Sequence, residues 1–438
     1  MRDGLVFDPQ KAISEIQQWA HNNYRSDAGG VVRGVKNGKK SEQVLFNDFG
    51  DYIPFFVHLH DIDFCKQQII ALRNYRGDNY LLPNEFSYFK IPCKRSYEHS
   101  DYLLGLLDVY EHYPDLISRE EVCDTLDSVY DAFFPNGVPH SWYFSTWPHR
   151  VPLADTKDGI FIELYLDAAR ILNDHKYTGY AQKIAHFFLS ASSKKSLVVN
   201  VIPSNSIGNL IRPIFASKMQ RGYVGVIKYN VSWWWSLLLL YRVTEDHIWL
   251  AELNKCHDQL VKKLIRDDGA VQVGQMVGDN LQDAHVLLVE NFPAIDFLVD
   301  CAWFLKEETY VHTAKRIADF WLKYQNPVTG LFPISPDEFV DDLDNNTDIA
   351  VALFKLADIT HDESYQKSAI KVVNGIWKYH RDVVNNVYVH SVDIRDGGVI
   401  RADGKVKFIL LFLKLLILVS SDTSPIRDDS TWSLLRDR

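Results

Sequence analysis

The 438-residue chain has few cysteines, no surplus of positive charge, and no apolar run long enough to cross a bilayer. Its five cysteines (Cys65, Cys93, Cys123, Cys256, Cys301) are odd in number, far apart and free of any CxxC spacing. That excludes a zinc knuckle or a disulfide framework and leaves them as reduced packing residues. Lys and Arg number 47 against 57 Asp and Glu, a net charge of -10. General nucleic-acid binders and anionic-membrane binders present basic surfaces, so neither partner is expected. The most apolar stretch, Val406 to Val419, falls short of the roughly 20 residues that a span needs and is interrupted by Lys414. It reads as a helix buried on nearly every side, and no membrane insertion is expected. The N-terminus leads into a polar amphipathic stretch rather than an apolar leader, so a cytoplasmic protein is the expectation.

What the chain does have is apolar material, 47% of its residues, and a loose internal repeat. Segments 165–189, 237–264, 298–324 and 352–379 each carry an apolar helix, a tight polar turn, and an aromatic opening a second, amphipathic helix. Those aromatics are Tyr177, Trp249, Tyr310 and Tyr365. Segments 47–74 and 97–134 are weaker copies, with Phe64 in the aromatic position of the first. Apolar residues at i, i+3, i+4 and i+7 in the second helices, against apolar residues all round the first, predict helical hairpins with an inner and an outer member.

Such hairpins bury their inner set either by stacking in an open solenoid or by curling into a ring. The ends favour the ring: an outer-type helix near Pro9 to Asn23 opens the chain, and an inner-type helix near Lys405 to Val419 ends it. The expected fold is therefore all-α, a closed α/α toroid of six or seven helical hairpins with roughly 60% helix. It forms a single domain over residues 1–420, followed by a polar tail at 421–438. Two stretches interrupt the rhythm, Pro135 to Leu153 and Ala191 to Lys228, the second holding a strand-like run, Leu197 to Ile202. Loops of that length are usually functional or disordered.

The hairpin pattern resembles the six-hairpin glycosidase superfamily, α/α toroids that act on carbohydrates, over nearly the whole chain. Ala154 to Glu163 (ADTKDGIFIE), running on to Asp174-His175-Lys176-Tyr177, is similar to the inner-helix start of unsaturated glucuronyl and rhamnogalacturonyl hydrolases. An Asp in a DT or DG pair at that point is the general acid/base there, so the resemblance implies that role for Asp158 first and Asp155 second. No second stretch matches the remaining binding residues of those hydrolases.

In a toroid the inner helices run parallel, so residues in their first turns gather at one mouth. The register puts Asn47, Asp48, Asp51, Tyr97, Glu98, His99, Asp101, Asp155, Asp158, Glu163, Tyr229, Asn230, Trp233, Glu290, Asn291, Asp296, Asn345, Asn346, Asp348, Lys405 and Lys407 there. Asp and Asn are also preferred N-caps, and acids in a first turn offset the helix dipole, so capping competes for each of them. Capping accounts for one carboxylate per helix better than for two. Asp48 with Asp51, Asp155 with Asp158, and the run Asp341, Asp342, Asp344, Asp348 exceed it. Glycoside hydrolysis needs a protonated acid at the leaving oxygen and a base or nucleophile across from it. Asp158, Asp155, Asp51 and Asp348 are thus the candidate catalytic residues. The acidic run 338–348 lacks the Gly and terminal Glu of a calcium loop, so neither a metal nor any other cofactor is expected.

Residues 191–228 hold Lys194, Lys195, Arg212, Lys218, Arg221 and Lys228 and no acid, a local reversal that suits an anionic ligand or equally a solvated loop. Sugar rings pack on flat aromatics, which marks His140-Ser141-Trp142-Tyr143 and Trp147-Pro148-His149-Arg150. The substrate-binding candidates are Asp48, Tyr97, His99, Trp142, Tyr143, Arg150, Asn230, Trp233, Asn291 and Asn346. The function expected is a glycoside hydrolase acting on an acidic, uronic-acid-containing oligosaccharide. The rivals are a lyase or epimerase using Tyr97 or His99, with Arg150 as neutraliser, and a non-catalytic glycan-binding toroid.

Overall fold

The computed structural model describes residues 4–36, 39–83, 86–88, 91–144, 149–192, 201–215, 223–224, 226–277, 280–384 and 387–420. Of the described residues, 63% are helical. In chain order the helices are α1 (Pro9–Asn22), α2 (Ile53–His58), α3 (Ile62–Tyr75), α4 (Ser96–His112), α5 (Arg119–Phe133), α6 (Ile160–Leu172), α7 (His175–Ser192), α8 (Ser206–Phe215), α9 (Val226–Thr244), α10 (His247–Gln259), α11 (Leu288–Leu305), α12 (Glu308–Leu322), α13 (Leu343–Thr360), α14 (Glu363–Gly375) and α15 (Val406–Ser420).

The inner helices are α2 with its preceding 3-10 turn (Phe46–Asp51), α4, α6, α9, α11, α13 and α15, each packed on the next. α15 then packs back on the Phe46–Asp51 turn and is covered from outside by α1, which closes a ring of seven hairpins. The first and last helices do pair, as the unmatched ends of the repeat suggest. Burial follows the predicted division: α15 is buried from Phe408 through Val419, whereas α12 buries one stripe (Tyr310, Thr313, Ala314, Ile317, Trp321) and leaves a polar face outside. The aromatics that open the outer helices, Phe64, Tyr177, Trp249, Tyr310 and Tyr365, are all buried between the two layers. Burying such a side chain contributes about 2 kcal/mol or more.

Inner helices approach closely where a side chain is missing. A Cβ on Gly105 of α4 would overlap the ring of Phe49 and the side chain of Ile53, so glycine here lets α4 lie against the segment bearing Asp48 and Asp51. Gly105→Ala is expected to lower stability by about 1–3 kcal/mol, the usual cost of overpacking. Thermal unfolding checks this, and an unchanged midpoint would mean that the contact opens freely.

The two interruptions are more structured than the sequence suggests. Ile91–Arg95 pairs with Trp142–Phe144, and Leu153–Asp155 with Val201–Pro203, in antiparallel ladders. Residues 206–215, read from sequence as turns and loop, form α8, which exposes Ile207, Leu210 and Ile214. Leu197 to Asn200, Lys194, Lys195, Lys218, Arg221, Trp147 and the 421–438 tail lie outside the described residues. Arg95 and Lys405 each end a strand immediately before an inner helix begins, and Asp155 ends one before the turn Thr156–Gly159 that leads into α6. The short sheets form a deck over the N-terminal mouth of the ring. Among the described residues no helix is long and apolar enough to cross a membrane.

Candidate active site

Two groups of carboxylates meet at that mouth. The first is built on the turn Thr156–Gly159 before α6. Asp158 is fully buried, and its two oxygens accept hydrogen bonds from Ser96 Oγ and from Ser141 Oγ, the latter at 2.5 Å. Ser141 Oγ in turn accepts the backbone N–H of Asp155 at 2.5 Å. Burial, with Asp155 beside it, pushes the Asp158 carboxyl up to about 7 despite these hydrogen bonds. Asp155 is less enclosed. It caps the turn by accepting Lys157 N–H at 3.1 Å and lies 3.9 Å from the Arg95 guanidinium, which also faces Glu98 at 3.6 Å.

The second group spans the ring closure. Lys407 Nζ, at the start of α15, bridges Asp48 at 3.1 Å and Asp51 at 2.6 Å. Burial opposes the Lys407 charge, but Asp48 and Asp51 outweigh it and hold the ammonium well above its ordinary range. Asp48, Asp51 and Asp101 bring carboxylate oxygens within 4.8 Å of one another, the one set among the described residues with the spacing of cation ligands. The Lys407 ammonium already answers two of the three. On the far side stands Asp348 of α13, buried, its carboxyl pushed up to about 8 by desolvation and by Asp344, with Asp51 adding to the rise. Tyr97 joins the two groups. Lys157 Nζ sits 4.2 Å from its ring centroid, while Asp101, Lys407, Asp51 and Asp48 act on its phenol.

The mouth therefore gathers Asp48, Asp51, Tyr97, Asp155, Asp158 and Asp348 from four segments far apart in sequence. Other candidates have different employment. His99 is buried with both ring nitrogens engaged, Nδ1 against the Arg95 carbonyl at 2.7 Å and Nε2 against Leu82 N–H at 3.1 Å, and burial lowers it to about 3. Asn291 grips the backbone of Val271 through both ends of its amide, at 2.8 and 2.9 Å. Asn346 does the same to Phe332, at 2.8 and 2.9 Å. Asn230 is fully buried, as is Trp233, which stacks on Phe188; Trp234 and Trp235 are core residues as well. Trp142 is buried in its ladder, and Tyr143 stacks on His149. Arg150 turns to the carbonyls of Asp131 and Ala132 and caps the end of α5. Asp341 and Asp342 of the acidic run are held by His380 at 2.7 Å and His390 at 3.0 Å.

Sequence reasoning missed Arg95, Ser96, Ser141 and Lys157. Ser141 lies in a loop already marked for its aromatics, but nothing in a single sequence pairs it with Asp158.

The fold, then, is an α/α toroid with an acidic mouth, and solved structures that superpose on it include carbohydrate enzymes. An α-1,2-mannosidase from Trichoderma reesei superposes with a TM-score of 0.69 at 14% identity, over 96% of this chain and 94% of its own. A GH76 α-mannanase from Bacteroides thetaiotaomicron gives 0.57 at 14% identity, over 94% and 96%. The unsaturated glucuronyl hydrolase of a Bacillus species, responsible for glycosaminoglycan degradation, gives 0.53 at 14% identity, over 87% and 98%. No family model matches the sequence, and no curated protein does. At this identity the likeness establishes the fold alone.

Proposed function

We propose that the protein is a carbohydrate-active enzyme, a glycoside hydrolase that cleaves an acidic oligosaccharide at the toroid mouth. One observation carries the reading: the mouth holds both a buried carboxyl group, Asp348, pushed up to about 8 by burial and Asp344 with Asp51 adding to the rise, and Asp51 itself, seated on the Lys407 ammonium at 2.6 Å. Two carboxyl groups whose environments set them apart are what acid/base cleavage of a glycosidic bond requires. Asp348 is assigned as the acid that protonates the leaving oxygen. Asp51 is assigned as the base or nucleophile, with Asp155 as a second carboxylate on the neighbouring wall. Asp158 acts through others: it holds Ser141, which holds the turn that presents Asp155.

The rival proton abstraction by Tyr97 or His99 fits the site less well. Burial and Asp101 push the Tyr97 phenol up, so it keeps its proton, and His99 has no ring nitrogen left for a substrate. The test is incubation with saturated and unsaturated acidic oligosaccharides, following reducing ends and the ultraviolet absorbance of the unsaturated uronyl double bond. New reducing ends are expected. Rising absorbance would establish a lyase instead, and falling absorbance would establish hydration of an unsaturated sugar.

A further inference from the structure

Beside Lys407 on the rim, strands Gly34–Lys36, Lys39–Lys40 and Gly404–Lys405 form an antiparallel sheet. The register sets Lys405 opposite Gly34 and Lys36 opposite Lys39. Side chains alternate along a strand, so Lys36, Lys39 and Lys405 emerge on one face, with side-chain-free Gly34 between them. They border a cavity of about 710 Å3 that Arg33 and Lys40 also line, with Asp403 as its one carboxylate. Asp403 is drawn to Arg401 at 3.4 Å and His390 at 3.8 Å. Residues 31–41 hold four cations and no acid, in a chain of net charge -10. Among the described residues no carboxylate ion-pairs with Arg33, Lys36, Lys39, Lys40 or Lys405. Like charges directly opposite each other, as Lys36 and Lys39 are, weaken a ladder, and a bound anion would offset that cost; Lys40 donates to the Arg25 carbonyl at 2.9 Å and Lys405 lies over the Phe408 ring.

We infer that this cavity receives an anionic substituent, a sulfate, phosphate or carboxylate, carried by the oligosaccharide whose bond lies at the Asp51 and Asp348 pair. The inference rests on the glycosidase reading and places the charge of its acidic substrate on this sheet. Lys405 and Lys407 are two residues apart, so one saccharide chain reaches both.

The experiment is calorimetric binding of a heparin-derived tetrasaccharide, tetragalacturonate and neutral maltotetraose to the wild type and to Lys36→Gln/Lys39→Gln. These side chains are exposed, so the variant keeps its fold. A charged tetrasaccharide is expected to bind at least about tenfold more weakly to the variant, with a shallower salt dependence, because phosphate-like contacts are salt-linked. The tighter of the two charged sugars identifies the substituent. Equal binding by both proteins overturns the inference, as does equally tight binding of maltotetraose or of a single-stranded oligodeoxynucleotide of the same charge. Lysine-dependent binding without any turnover supports the cavity and overturns only the hydrolase reading.

Discussion

Lys355→Met is expected to destabilise the protein by about 3–5 kcal/mol, the cost of stranding a buried charge after its partner is removed. Lys355 projects from α13 into the core and contacts Asp296 and Asp300, the latter at 2.7 Å, all three side chains being essentially inaccessible. Asp296 and Asp300 are one turn apart on α11, so one ammonium serves both. Asp300 also accepts Trp235 Nε1–H from α9 at 2.8 Å, so the cluster ties three successive inner helices. Methionine fills the lysine stem but leaves two carboxylates facing each other in apolar surroundings. The thermal midpoint should fall by several degrees. Lys355→Met/Asp296→Asn/Asp300→Asn should recover most of the loss, because no uncompensated charge then remains and an amide oxygen still accepts from Trp235. An unchanged midpoint in the single variant would mean that the carboxylates simply take up protons at little cost.

The architecture was legible because it rests on periodicity, and periodicity is written in every hairpin. Inner helices lack a polar face, outer ones have one, and an aromatic marks each junction; Tyr177, Trp249, Tyr310 and Tyr365 all lie where that pattern puts them. The site was legible only in part, because a polar residue in a first turn has two employers that look alike in sequence. Asn291 and Asn346 illustrate the ambiguity. Both sit at inner-helix starts, yet both clamp the loop that follows the preceding outer helix, at Val271 and Phe332. A signal for this does exist: each clamped residue lies two positions after a glycine with positive φ, Gly269 at 100° and Gly330 at 75°. A repeated glycine turn needs a repeated anchor, and asparagine can offer one donor and one acceptor to a single backbone unit. Arg150 misled for a different reason. Its charge suggested an anion, and the anionic partner turned out to be the carbonyl end of α5. In residues 206–215 the helix is masked by turn signals at Pro203-Ser204-Asn205 and Asn209.

Asp158 and Asp348 differ in what they do, and their asparagine variants should separate the roles. Asp348→Asn is expected to reduce kcat/KM by about 10²–10⁴-fold, the span of general acid catalysis, because the amide cannot give up a proton to the leaving oxygen. Its wild-type carboxyl, raised to about 8, should set the alkaline limb of the pH profile. Asp158→Asn should lose less, since its amide oxygen still accepts from Ser96 or Ser141 and the alkaline limb stays with Asp348. Its main effect should be on stability. A carboxyl whose folded pKa is raised from 3.8 to about 7 favours the folded state fully below about pH 4 and loses that contribution as the pH climbs through 7. Wild-type stability should therefore fall between about pH 4 and pH 8 by an amount on the order of 2–4 kcal/mol for Asp158 alone. In Asp158→Asn that slope should flatten. Urea midpoints at pH 5 and pH 8 decide it: the contribution of Asp348 persists in both proteins, so a slope in Asp158→Asn as steep as the wild type's would mean that the Asp158 carboxylate stays charged in the folded protein. Full loss of activity in Asp158→Asn with retained activity in Asp348→Asn would move the acid to the first group of carboxylates.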